Sequence, residues 1–204
     1  MPNWTANSLK LTAKNAQSEA KLAELMHELT RAHAADEVPQ IFNKIRPIPQ
    51  QLQIVAGWLG KGEEQAKLEA AQQLNLKLYG YKNWYDFCIA EWGTKWEPRL
   101  DENVPFDLSG HVLTVWFDTA WAPPIPIYHA LEAMGFEVEA TYVEQGMGFI
   151  GYYKNGQDVC EEMEQFYVET DQERYQNEFD PVPEKIDRYF EARGFNHSPS
   201  NLGG

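Results

Sequence analysis

Two cysteines and five histidines are the side chains best suited to hold a transition metal, and their spacing argues against it. Cys88 and Cys160 stand far apart, and His27, His33, His111, His129 and His197 form neither an H-E-x-x-H pair nor a finger-type pairing with cysteine. His27 and His33, six residues apart, fall on different faces of a helix. Two cysteines are too few for the four thiolates of an iron–sulfur cluster, so no cofactor and no metal are expected. Cys88 lies mid-stripe in an apolar helix, where buried thiols are ordinarily inert. The run GWLGKGEE lacks phosphate-loop spacing, and Gly146, Gly148 and Gly151 of EQGMGFIG read as turn and close-approach positions.

The chemistry that remains is that of aromatic rings. Residues 83–96, NWYDFCIAEWGTKW, hold Trp84, Trp92 and Trp96 with Tyr85 and Phe87. With Trp4, Trp116 and Trp121 they could line a groove with Lys95 and Asp118 as polar handles, the tryptophans serving as anchors or stacking platforms. The alternative is a small core where a short helix docks on a sheet, because such a helix cannot hold itself without packing its aromatic stripe. The candidate ligand or partner face is therefore Trp4, Trp84, Trp92, Lys95, Trp96, Asp118 and Trp121. Most of the rings are assigned to core, and Lys95 and Trp96 are expected to face a ligand. Asp118, ahead of a proline-led helix start, reads first as a capping or turn residue. No catalytic residue is assigned, since a working carboxylate needs a partner at a defined distance and the chain has 31 acids to offer one by chance.

These residues need elements to position them. Trp4–Leu11 alternates as a strand, with Asn7, Leu9 and Leu11 on one side. Gln17–His33 has the apolar spacing of an amphipathic helix, with Glu24, Glu28 and Arg31 on its outer side. Gln40–Ile45 reads as a short strand ended by Pro47. Glu63–Leu78 is helical. Asn83 caps a helix that Gly93 stops. His111–Phe117 reads as a central strand, Asp118–Trp121 as a corner, Ile127–Met134 as a helix and Phe136–Tyr142 as a half-buried strand. Asn155-Gly156 signals a hairpin. Residues 161–178 carry mixed signals, Glu184–Arg193 reads as a helix, and HSPSNLGG reads as a frayed tail. The order is a split β-α-β pattern of the α+β class: a ferredoxin-like antiparallel sheet with helices on one face. The 204 residues read as a single domain, 1–204, with a helical, Trp-rich insertion at about 50–108 and an acidic C-terminal extension at about 157–204.

Charge is unevenly placed. Residues 132–191 hold 16 Asp and Glu against 4 Lys and Arg, most of the chain's net −14. Such a segment repels phosphate backbones, which argues against direct nucleic-acid binding and leaves room for basic protein partners. No run approaches a membrane span, MPNWTANSLK lacks the features of a secretory signal, and the low cysteine count fits a reducing compartment; the expected location is cytoplasmic.

Four blocks, MPNWTANSL, YGYKNWYDFCIAEWGTKWE, FDTAWAPPIPI and YVEQGMGFIGYYKNG, resemble the YubB-type, Api-ninety-two-like family of phage, prophage and plasmid proteins. The resemblance implies a ferredoxin-like fold and a mobile-element setting, and it implies no activity. The family often has cysteine after MPNW where this chain has Thr5. The expected function is a non-catalytic interaction module that engages a protein of the host or of the element. A DNA mimic acting on a host DNA-processing enzyme, and a small-ligand binder or enzyme using a pocket beside the 83–96 helix, are the alternatives. Pairing of two copies through an exposed edge strand is left open.

Overall fold

The computed structural model describes residues 3–102, 105–170, 186 and 188–190. In chain order the elements are β1 (Trp4–Ala13), α1 (Ala16–Ala35), α2 (Ile41–Ile45), a 3-10 turn (Gln50–Leu52), α3 (Glu63–Tyr79), α4 (Trp84–Glu91), β2 (Arg99–Leu100), β3 (Phe106–Ser109), β4 (Val112–Ala120), α5 (Ile125–Ala133), β5 (Phe136–Glu144), β6 (Phe149–Lys154), β7 (Gln157–Glu162) and α6 (Met163–Thr170). One antiparallel sheet runs β2-β4-β1-β5-β6-β7, with β3 also on the outer edge of β4. Leaving out the insertion, β1-α1-β3-β4-α5-β5 is the ferredoxin-like order, with β1 held between β4 and β5 (Leu9 opposite Val115 and Ala140).

Alternation in β1 decides which side is core. Leu9, Leu11 and Ala13 point with Asn7 toward α1 and α5, where Leu25, Leu29, Ile127, Tyr128 and Leu131 meet them. Each fully buried aliphatic side chain stabilises by about 1.5–3 kcal/mol, so this layer dominates the folding energy. Asn15 starts α1 by a reciprocal cap, its side chain accepting from Ser18 N at 3.0 Å while Ser18 Oγ accepts from Asn15 N at 3.1 Å. On α1, Glu28 does not decorate the outer side as its spacing suggests. It is 5% exposed, and its carboxylate accepts from Arg31 Nη2 at 2.8 Å and from Gln40 N at 3.0 Å.

Several other readings are corrected. Gln40–Ile45 is not a strand: Ile41–Ile45 is the helix α2. β4 continues through Asp118 and Thr119 to Ala120, so the corner falls at Trp121 rather than at Asp118. The sheet resumes at Arg99 and Phe106, inside the segment expected to be insertion. The helices of the ferredoxin-like unit, α1 and α5, share one face as expected, and the C-terminal extension covers part of the other. Ile150 and Tyr152 on the reverse face of β6 pack against Phe166, Ile186, Tyr189 and Phe190, and the rings of Tyr152 and Phe190 stack at 6.0 Å. Of 161–178, residues up to Glu162 finish β7 and Met163–Thr170 form α6; the rest lies outside the described residues. The expected Glu184–Arg193 helix is seen as helix at 186 and 188–190, and HSPSNLGG lies outside the described residues.

Candidate functional site: a tryptophan–lysine cluster

Segment 92–97 joins α4 to β2, and its side chains alternate between anchoring and display. Trp92 is 3% exposed; its indole Nε1 donates to Arg46 O at 2.9 Å and its ring meets Phe42 edge-on at 5.8 Å. Gly93 takes φ +78° and sits so close to α5 that a Cβ would fall 2.7 Å from Pro126 Cδ. Thr94 Oγ1 donates to Ala120 O at 2.9 Å. The Glu97 carboxylate accepts from Phe42 N at 2.7 Å and Asn43 N at 2.9 Å, closing the start of α2. Burial drives its pKa up to about 7.

Between these anchors stand Lys95 and Trp96. Trp96 stacks on Trp121 with centroids 6.2 Å apart and meets Trp4 at 6.3 Å. Lys95 Nζ lies 4.2 Å from the Trp96 ring, 5.6 Å from Trp121 and 5.8 Å from Tyr85, a cation shared among three π faces. Trp4, Trp96 and Trp121 remain 37%, 39% and 38% exposed.

Trp121 owes its place to the frame beneath it. It takes φ +69°, the left-handed region, and its N–H donates to Asn3 O at 2.9 Å. Thr119 Oγ1 donates to Ala122 O at 2.8 Å and accepts from Asn7 Nδ2 at 2.9 Å, while Tyr128 Oη donates to Asn7 Oδ1 at 3.2 Å. This buried network fixes the end of β4 against α5. One member is unsatisfied: Thr5 is fully buried and its hydroxyl has no hydrogen-bond partner among the described residues.

Of the seven candidate positions, the structure gathers Trp4, Lys95, Trp96 and Trp121. Trp92 belongs to the core and offers nothing to a partner. Trp84 is half-buried, packed on the core and edge-on to Tyr85 at 5.9 Å. Asp118 is a mid-strand residue, opposite Arg99 and Ala6 on the reverse sheet face, and not a turn residue. Tyr85 completes the cluster and is not among the seven candidates, although its place beside Trp84 at the capped start of α4 points to it. Glu97 had no such signal, because its partners lie more than fifty residues away.

An apolar gap of about 20 Å³ lies within the core, lined by Leu9, Leu29, Phe42, Leu100, Phe117 and Leu131 among others, and not by the 83–96 helix. Lacking polar partners, it would leave a water unsatisfied. Among the described residues, no three His, Cys, Asp or Glu side chains gather as a metal site, and no helix is long and apolar enough to cross a membrane.

A ferredoxin-like sheet with a displayed aromatic–cation cluster is thus the class defined by fold and site. Residues 91–182, less than half the chain, match the family described as the ferredoxin-like domain in Api92-like protein. A crystal structure of a protein Api92 from Yersinia pseudotuberculosis is similar over 79% of this chain and 98% of its own, at 14% identity and a TM-score of 0.44. No curated protein matches the chain.

Proposed function

We propose that the whole chain is an Api92-like, YubB-type protein of a phage, prophage or plasmid that works in the cytoplasm as a non-catalytic interaction module, binding a host or element protein through Trp4, Lys95, Trp96 and Trp121. The observation that carries this reading is the exposure of three adjoining indoles, two of them beside Lys95. Large rings left wet together form the kind of surface that anchors partner side chains, and tryptophan is enriched among residues that dominate binding energy. The frame beneath holds them in place before any partner arrives, which lowers the ordering cost of association.

A DNA-mimic reading draws less support, because several carboxylates of the acidic segment have internal partners. Glu137 pairs with Lys14, Glu139 with Lys154 and Tyr152, and Glu144 accepts from the Gly146 and Met147 amides. The test is affinity capture from host lysate with the full chain and with a Trp96→Ala/Trp121→Ala variant of unchanged melting temperature. A protein retained by the first and lost by the second supports the reading. Identical captured sets would end it.

A further inference from the structure

We propose that Tyr85, Trp96 and Trp121 form a cage for the guanidinium group of an arginine on the protein partner, and that Lys95 fills this cage until the arginine displaces it. The inference rests on the interaction reading above and names the chemistry that it recognises. Three rings from three segments enclose one position. Tyr85 stands in the first turn of α4, where its N–H donates to the Asn83 cap at 2.9 Å, while Trp96 follows α4 and Trp121 follows β4. Trp4, at the start of β1, backs Trp96 at 6.3 Å.

What the position holds is a cation. Lys95 Nζ lies 4.2 Å from the Trp96 centroid, 5.6 Å from Trp121 and 5.8 Å from Tyr85, all within the roughly 6 Å over which a ring face attracts positive charge. It makes no hydrogen bond or ion pair among the described residues, so the rings hold its ammonium. The charges that flank the cage along the chain do not alter this. Arg99 pairs with Glu102 at 2.9 Å, Glu91 lies 3.7 Å from Arg46, and Glu97 takes the amides of α2. Lys82 and Asp86, of opposite sign, are both without an ion pair among the described residues. The local pull on a cation is therefore that of the rings, and the chain's net charge of −14 adds a long-range attraction for basic partners.

Lysine suits the part of an occupant that can be dislodged. Its ammonium is compact and strongly hydrated, and with no protein acceptor its three donors must stay wet. A guanidinium is flat, more weakly hydrated and lies along indole faces at less cost. The exchange needs no movement of the main chain. Thr94 Oγ1 donates to Ala120 O and Glu97 accepts from α2, so both sides of Lys95 are tied and its stem alone swings out. Trp96 and Trp121 are each more than one-third exposed, which leaves the approach open. Arginine and tryptophan are also among the side chains that dominate binding energy across interfaces. Lys95 thus competes with the ligand, and apparent affinity falls with the fraction of molecules whose cage is free.

The probe is acetyl-arginine amide, titrated into the full chain and followed by the indole N–H resonances. Those of Trp96 and Trp121 should move, and that of Trp58, 71% exposed and no part of the cage, should not. Acetyl-lysine amide should bind more weakly. Lys95→Met keeps the stem and removes the charge, and it should tighten arginine binding by about two- to five-fold, the worth of an exposed cation–π contact. The proposal is overturned by shifts at Trp96 and Trp121 no larger than at Trp58, by unchanged or weaker binding in Lys95→Met, or by tighter binding of acetyl-trimethyl-lysine amide. Lysate capture separates this from the wider reading. A partner retained through Trp96 and Trp121, with both rings unmoved by the arginine probe, ends the arginine assignment alone. Arginine binding by a chain that captures no protein ends the interaction reading, and with it a protein as the source of the arginine.

Discussion

The side chain of Tyr142 lies across Gly151 on the neighbouring strand, so close that a Cβ on Gly151 would fall 2.0 Å from the ring. The ring is 2% exposed and its hydroxyl donates to Asp158 Oδ1 at 2.7 Å, so it cannot swing aside without losing that bond. Gly151→Ala should therefore destabilise the protein by about 1–3 kcal/mol in urea unfolding. In a Tyr142→Ala background the same change should cost almost nothing; an equal cost in both backgrounds would show that the ring is not the obstacle.

Tryptophans a few residues apart should behave oppositely. Trp92→Ala empties a core position and should cost about 3–5 kcal/mol, whereas Trp96→Ala, at 39% exposure, should cost under about 1 kcal/mol. Trp84→Ala, half-buried, should fall between them. Chemical denaturation of the three variants checks the ranking, and comparable losses at positions 92 and 96 would contradict the division into anchor and display.

Thr5 buries a hydroxyl that has no partner among the described residues. Thr5→Val keeps the shape and removes the desolvated oxygen, so it should raise stability by about 1 kcal/mol. Thr5→Cys should move the same way, a thiol being easier to bury than a hydroxyl. A fall in melting temperature for both variants would show that the hydroxyl is bonded in solution.

Stability should decline on both sides of mildly acidic pH. Glu97 has its pKa raised by burial from 4.5 to about 7, so across that interval the folded state holds a proton that the unfolded chain has released, and stability falls as pH rises. Glu28 is shifted the other way, from 4.5 to about 2, chiefly by its bonds from Arg31 and despite its burial. Its contribution is present above pH 4.5 and is lost as pH drops toward 2. Unfolding free energies against pH should show the upper slope flattened by Glu97→Gln and the lower slope flattened by Glu28→Gln. Unchanged slopes in both variants would refute the assignment.

What was legible in the sequence is what short-range chemistry decides. Asn83 caps α4, accepting from Tyr85 N at 2.9 Å. Asn155 and Gly156 take φ +51° and +76°, as a tight hairpin between β6 and β7 requires. The alternation of β1 names its buried side correctly. The failures share one cause, long-range partners. Five residues, IFNKI, look like a strand by composition, and they are helical with Glu97 seated on their amides from across the chain. Glu28 looks solvated because nothing nearby shows that Gln40 and Lys44 return to cover it. For the tryptophans, spacing identified the aromatic stripe of α4, but not which rings stay wet. That depends on where the ends of β1 and β4 bring Trp4 and Trp121.

Trp121 adopts a backbone geometry that glycine enters freely and that a side chain with a Cβ resists by about 1–2 kcal/mol. Trimming it to glycine would thus ease the main chain while giving up the packed part of a ring that is 38% exposed, so the two changes oppose one another. The stack of Trp121 on Trp96 is thus held against the main chain's own preference at that position.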